Sequence, residues 1–191
     1  FVLIHLDSYR KNPLQIFKIW EGGLVFYGGL ILAVGVAIGY MRWHRLPIWK
    51  LCDIVSPSVA LGLVFGRIGC FFAGCCYGKE TSLPWGVIFK DPNSLARLNV
   101  PLHPTQLYDA INGLAIFSFL NWMERRKKFD GQILWLFLLT YSVTRFFIEI
   151  LRDDPRGFLY PSLISTSQGI GILLAMLSIF MLLFFNKVQR S

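Results

Sequence analysis

The sequence predicts an all-α fold, a polytopic transmembrane helix bundle with a short extracytoplasmic irregular/α-β loop segment. Three observations carry this expectation. Of 191 residues, 54% are hydrophobic, against about 45–50% in an ordinary soluble domain. The mean hydropathy is +0.53. Apolar runs of about 20 residues, long enough to cross the hydrocarbon core as helices, recur along the chain with charged residues gathered between them. The formal net charge of +8 would suit nucleic acid. The basic residues flank apolar runs, however, so membrane topology explains them and no nucleic-acid partner is expected.

Taken in order, the chain reads as a single membrane-embedded domain over 1–191 with spans at about 22–43, 51–72, 106–123, 131–151 and 169–185. It opens on Phe1-Val2-Leu3-Ile4, which reads like the tail of an upstream helix, so N-terminal sequence is expected to precede it. Residues 5–21 are polar and mixed, a loop followed by a short amphipathic piece over 14–20, where Trp20 suits the membrane interface. In the first span two glycine pairs, Gly22-Gly23 and Gly28-Gly29, frame an aromatic cluster. Gly35-x3-Gly39 and, in the second span, Gly62-x3-Gly66 offer small-residue packing faces. Tyr27 is either an interfacial anchor or a hydroxyl in a glycine-walled cavity. Asp53, near the start of the second span, complements the helix dipole.

The outward loop 73–105 is punctuated by Pro84, Pro92, Pro101 and Pro104, and a short strand is expected within 85–89. Pro104 disfavours helix before it, and Thr105 is the expected N-cap of the third span. Ser165-Thr166-Ser167-Gln168 has capping-box form ahead of the fifth. Short loops 42–50 and 124–130 and the C-terminal tail carry nine Lys/Arg against the helix ends. The opposite-side segments carry eight, spread over more residues and mixed with acids. By the positive-inside rule the short basic loops and the C-terminus are cytoplasmic, and 1–21, 73–105 and 152–165 face outward.

The chemistry centres on Gly66-Arg67-Ile68-Gly69 and its continuation to Gly78. A guanidinium at membrane depth costs about 2.5 kcal/mol or more and calls for an anionic partner. Arg145, Glu149 and Arg152 fall at i, i+4 and i+7, on one helical face that should look into the bundle. The plainer readings are a structural arginine on a buried carboxylate and a self-neutralised pair that aids packing. Arg67 and Arg145 lie toward the outer ends of their spans. Guanidinium forks suit phosphate, which points to the phosphate of a lipid in the outer leaflet. Four cysteines occur, at 52, 70, 75 and 76. The spacing Cys70-x4-Cys75-Cys76 matches no common zinc pattern, so small packing residues are the plain reading and a disulfide or redox role the alternative. No metal is expected.

Four ordered stretches resemble the motifs of the prolipoprotein diacylglyceryl transferase family. Gly66-Arg67-Ile68-Gly69 with Phe71-x-x-Gly74 resembles its signature G-R-I-G-N-F-x-N-G-E. Gly22 to Leu30 resembles its first-span glycine motif. His103-Pro104-Thr105-Gln106-Leu107-Tyr108 resembles H-P-[ST]-Q-L-Y, and Arg145-Phe146-Phe147-Ile148-Glu149 with Arg152 resembles R-F-x-x-E-x-x-R. The resemblance covers nearly the whole chain and implies further spans before Phe1.

It also implies a multi-pass enzyme of the bacterial inner membrane acting in lipoprotein biosynthesis and protein modification. Its substrates would be phosphatidylglycerol and the lipobox cysteine of preprolipoprotein signal peptides, with membrane lipids around it. It implies no cofactor. Carried over position by position, Arg67 binds the headgroup and Arg145 holds the phosphate. Glu149 orients Arg145 or handles a proton. Gln106 and Tyr108 line the cavity, Arg152 supports it, and Gly28, Gly29, Gly69 and His103 complete the binding site.

Four positions depart from the family's common form. Tyr27 stands where many members have His, a candidate base, and a phenol of pKa about 10 is a poor base at neutral pH. Cys70 replaces Asn, Cys75 an acidic residue, and Asp109 stands for Glu. The base therefore stays open. Two other readings compete: a non-catalytic phospholipid-binding protein of the same fold, and an anion transporter. The second would predict inverted repeats, and no convincing repeat relates the spans.

Overall fold

The computed structural model describes residues 26–153, 158–160 and 164–188. The expected loop and amphipathic piece within 1–21, the pair Gly22-Gly23 and residues 154–157 lie outside the described residues. The chain divides at Ile48/Trp49 into two compact units. The first contains α1 (Phe26–Trp43). Its last turn closes through His44 N–H to Tyr40 C=O at 3.0 Å and Leu46 N–H to Met41 C=O at 2.8 Å. Arg45 takes a left-handed turn with φ 52°, and Pro47 follows, which cannot extend the helix. A Cβ at Gly35 or Gly39 would meet nothing within 4 Å, so neither makes a tight packing face among the described residues.

The second unit is built on α2 (Ile48–Ala73), α3 (Thr105–Glu124), α4 (Gln132–Ile150) and α5 (Thr166–Val188). Between α2 and α3 lie two-residue strands β1 (Val87–Ile88) and β2 (Pro101–Leu102), paired antiparallel with Val87 opposite Leu102. Between α4 and α5, β3 (Phe158–Tyr160) pairs antiparallel with β4 (Ile164–Ser165). Three helical stretches, Ile48–Ala73, Gln132–Ile150 and Ser167–Lys187, are long and apolar enough to cross a membrane. This is a helical membrane protein: Phe72, Phe147, Leu173 and Leu183 stand exposed on these stretches, where lipid replaces water as the solvent. α3 is more polar because it buries Thr105, Gln106 and Asp109.

α2 buries Asp53, Ser56, Pro57, Ala60 and Val64 along one stripe, the i, i+3/4, i+7 spacing of a helix face. That stripe meets α3 at Gly113, where a Cβ would lie 2.9 Å from Val64 Cγ2 and 3.3 Å from the Ala60 carbonyl oxygen. Among the described residues, a Cβ at Gly62 or Gly66 would meet nothing within 4 Å. The close approach expected of them is made by Gly113, because the buried stripe of α2 runs through Ala60 and Val64 instead. Ala60, Ile116, Leu120, Ile133 and Phe137 form the core shared by α2, α3 and α4. α4 packs against α3 and, more extensively, α5.

Two helix starts are fixed by side chains. Asp53, fully buried, accepts the Gly131 N–H at 2.8 Å and the Leu134 N–H at 3.0 Å. It therefore satisfies orphan donors at the start of α4 rather than serving its own helix. Lys127 Nζ completes the cluster at 3.3 Å from both Asp53 and Asp130. At α5 the capping box forms: Ser165 N–H donates to Gln168 Oε1 at 3.0 Å and Gln168 N–H to Ser165 Oγ at 3.2 Å. Thr105 is not the cap expected of it. Pro104 holds the N-cap position of α3, and the Thr105 hydroxyl donates instead to the Cys76 carbonyl at 2.8 Å.

Candidate active site

The polypeptide after α2 is stitched between two other segments. Gly78 N–H donates to His103 C=O at 3.0 Å, and Lys79 N–H to Leu151 C=O at 2.8 Å. His103 N–H donates back to Lys79 C=O at 2.9 Å. Only glycine fits at 78: a Cβ there would lie 2.7 Å from the Leu151 carbonyl oxygen and 2.7 Å from His103 Cβ. This seam fixes the end of α2, the start of α3 and the end of α4 together. Those three segments carry Arg67, Gln106, Asp109, Arg145, Glu149 and Arg152.

Asp109 is the hub. Its Oδ2 lies 3.2 Å from Arg67 Nε, 3.4 Å from Arg145 Nη1 and 3.7 Å from Arg152 Nη1. Arg145 Nη2 also pairs with Glu149 Oε2, from which Arg152 Nε lies 3.7 Å. Ser165 Oγ donates to Glu149 Oε1 at 3.4 Å. Asp109, Arg145 and Arg152 are buried, and the Arg67 side chain is 17% exposed. Three guanidiniums against two carboxylates leave one positive charge in excess. Arg67 contacts Asp109 through Nε, and its terminal nitrogens make no hydrogen bond among the described residues. An anion at that fork would neutralise the cluster.

The other predicted residues fall around it. Gln106, fully buried and one turn before Asp109, donates through Nε2 to the Cys75 carbonyl at 2.7 Å. Its Oε1 is buried with no hydrogen-bond partner among the described residues. His103 Nδ1 and Tyr108 Oη lie 3.2 Å apart, and Trp85 Nε1 donates to Tyr108 Oη at 2.9 Å. They make a separate chain on the loop side. Gly69 has nothing within 4 Å of where a Cβ would stand. Tyr27, Gly28 and Gly29 lie on α1, in the other unit, and the Tyr27 side chain is outside the described residues.

An open, largely apolar cleft of about 230 Å³ lies between α4 and α5, lined on α4 by Ser142, Val143, Phe146 and Phe147 and on α5 by Gly171, Ile172 and Ala175. Sequence reasoning noted Asp109 only as a substitution and missed its central place. The available signal was its spacing of one turn from Gln106 at the start of a membrane-length helix. Burial, helped by Cys70 and Cys76, pushes the Cys75 thiol up to about 12.

The sequence pattern of the family described as prolipoprotein diacylglyceryl transferase matches residues 1–184. The chain belongs to this family. It is 39% identical over 180 residues to the phosphatidylglycerol--prolipoprotein diacylglyceryl transferase of Clostridium tetani, covering 94% of this chain and 71% of that protein. It is 40% identical over 173 residues to the protein named phosphatidylglycerol--prolipoprotein diacylglyceryl transferase 2 in Clostridium perfringens, covering 90% and 66%. The enzyme of that name from Bordetella parapertussis is 35% identical over 161 residues, covering 83% and 60%. The chain thus spans about two thirds of the length of these relatives.

Proposed function

We propose that the protein transfers the diacylglyceryl group of phosphatidylglycerol to the lipobox cysteine thiol of preprolipoproteins, the first step of lipoprotein maturation. The observation that carries this reading is the guanidinium fork of Arg67, held with Arg145 on the one carboxylate of Asp109; an apolar cleft lies separately between α4 and α5. The fork suits the phosphodiester, and the cleft suits an acyl chain.

In the reaction the thiol sulfur forms a bond to the glyceryl carbon, and the carbon–oxygen bond to phosphate breaks. Glycerol phosphate leaves with the electron pair, and the thiol proton passes to a base. Arg67 and Arg145 stabilise charge as it develops on the leaving phosphate, in a site where low dielectric strengthens them. Glu149, engaged by Arg145, Arg152 and Ser165, acts by orienting Arg145. Asp109 holds the three arginines against their mutual repulsion. Gln106 offers its Oε1 to a substrate hydroxyl. By the family resemblance, Tyr27, Gly28 and Gly29 are further residues of the substrate-binding site. His103 and Tyr108 border the cavity.

In this reading 1–191 forms one membrane-embedded domain of the bacterial inner membrane. Loop 73–105 faces outward, the C-terminus is cytoplasmic, and α3 spans with the other helices. The experiment supplies full-length protein in liposomes with phosphatidylglycerol and a lipobox peptide, and follows glycerol phosphate release and peptide mass. Release that requires the peptide cysteine and is lost in Arg67→Ala is the expected result. Arg67-dependent lipid binding without release would support the non-catalytic lipid-binding reading instead.

A further inference from the structure

We propose that Cys70, Cys75 and Cys76 form a thiolate site for one soft d10 cation, with zinc as the type ion. Their three sulfurs all lie within 4.8 Å of one another. Zinc–sulfur bonds of about 2.3 Å place tetrahedral ligand sulfurs about 3.8 Å apart, so the cluster is at most about 1 Å wider than a bound ion needs. A disulfide would use two of the sulfurs and strand the third, and no disulfide is formed among the cysteines. Thiolate ligands select soft cations, and three protein ligands leave a fourth position for water.

The local backbone is shaped for this convergence. Gly74, at φ 69°, reverses the chain after α2, and a Cβ there would strike Ser94 Oγ. The reversal brings Cys75 N–H to Cys70 C=O at 3.1 Å and Cys75 Sγ to the same oxygen at 3.7 Å. Cys76 then adopts a left-handed conformation at φ 61°. Residues with a Cβ seldom adopt it, and it persists where the surroundings fix it. Consecutive side chains of an extended chain point to opposite faces, and this conformation is what departs from that rule. Carbonyls do the fixing: Cys75 C=O accepts from Gln106 and Cys76 C=O from Thr105. All three cysteines are half-buried, so an ion has a route in. Bound there, it fastens the turn whose carbonyls hold the first turn of α3. The linear spacing hides the site because the ligands meet only after Gly74 and Cys76 fold back.

The test uses full-length protein in detergent, reduced and stripped of metal, and does not depend on transfer activity. Zinc is titrated against a chromophoric chelator, and cadmium is used to read the thiolate-to-metal charge-transfer band. The expected result is one ion per chain, with three thiols shielded from maleimide while Cys52 stays reactive. Cys52→Ser should bind as the parent does. Cys75→Ser and Cys70→Ala should each weaken zinc binding by at least about tenfold. Cys70→Ala places a good helix former in the last turn of α2, so its fold, checked by circular dichroism, keeps the comparison valid. Absence of a cadmium–thiolate band, or zinc uptake unchanged in Cys70→Ala, overturns the proposal. Glycerol phosphate release from the same preparation reports separately on the transferase reading.

Discussion

One oxygen, Asp109 Oδ2, is shared by Arg67, Arg145 and Arg152. Its distances are longer than the about 2.7–2.9 Å of a tight charge-assisted bond, so this one oxygen gathers the arginines without holding any of them tightly. Arg67→Ala should lower kcat about 10²–10³-fold, the usual cost of removing one preorganised donor, while the protein still inserts. Arg67→Lys should restore only part of the loss, because an ammonium lacks the planar fork. Asp109→Ala belongs to a different class. It strands buried guanidiniums, and removing one partner of a buried pair costs about 3–5 kcal/mol. A clear fall in unfolding temperature in detergent is expected; a variant as stable as the parent would show that the arginines are already hydrated. The face formed by Arg145, Glu149 and Arg152 was legible from their spacing alone. Asp109 was not, because its three partners lie on α2, on α4 and just beyond α4, and sequence periodicity does not report which helices meet.

The helices divide in the same way. Their existence follows from the length and apolarity of each run, and the capping box at Ser165 from four residues in a row. The cap of α4 escaped the sequence because its acceptor, Asp53, lies 78 residues before Gly131. Asp53→Ala should destabilise the protein by about 1–3 kcal/mol through the donors it abandons, read as a loss of unfolding temperature. Lys127 adds a pH signature. Burial pulls its pKa down, but Asp53 and Asp130 outweigh that, and the net shift is upward. A raised folded-state pKa gives stability that is full below the unfolded lysine value, about 10.4. That stability is lost as pH rises through the higher folded value. Lys127→Met should therefore flatten the alkaline fall in unfolding temperature; an unchanged slope would assign that fall to other groups. Gly113 makes the third element-scale point. It was unremarked in sequence, yet it sets how closely α2 and α3 approach, and Gly113→Val should cost about 1–3 kcal/mol by overpacking.

For the whole molecule, the question is which end of the bundle faces the cytoplasm. The arginine site sits toward the end of α2 that leads into loop 73–105, and the Asp53–Lys127 cluster sits toward the other. On the proposed function, a phosphate site at Arg67 belongs near the outer surface, where an exported precursor arrives. The charge asymmetry of the loops predicts the same orientation, since arginine and lysine in short loops tend to stay inside. The two arguments are independent, one from chemistry and one from insertion, and they agree. Asn93→Cys, in the exposed part of loop 73–105, should react with an impermeant maleimide in intact cells from which the outer membrane, where present, has been removed. Lys128→Cys, beside the start of α4, should react only after the cells are broken. Single-cysteine backgrounds are set by replacing Cys52, Cys70, Cys75 and Cys76 with serine, and insertion is checked in each. The reverse pattern would place the guanidinium fork in the inner leaflet, and the exported thiol would then have no path to it.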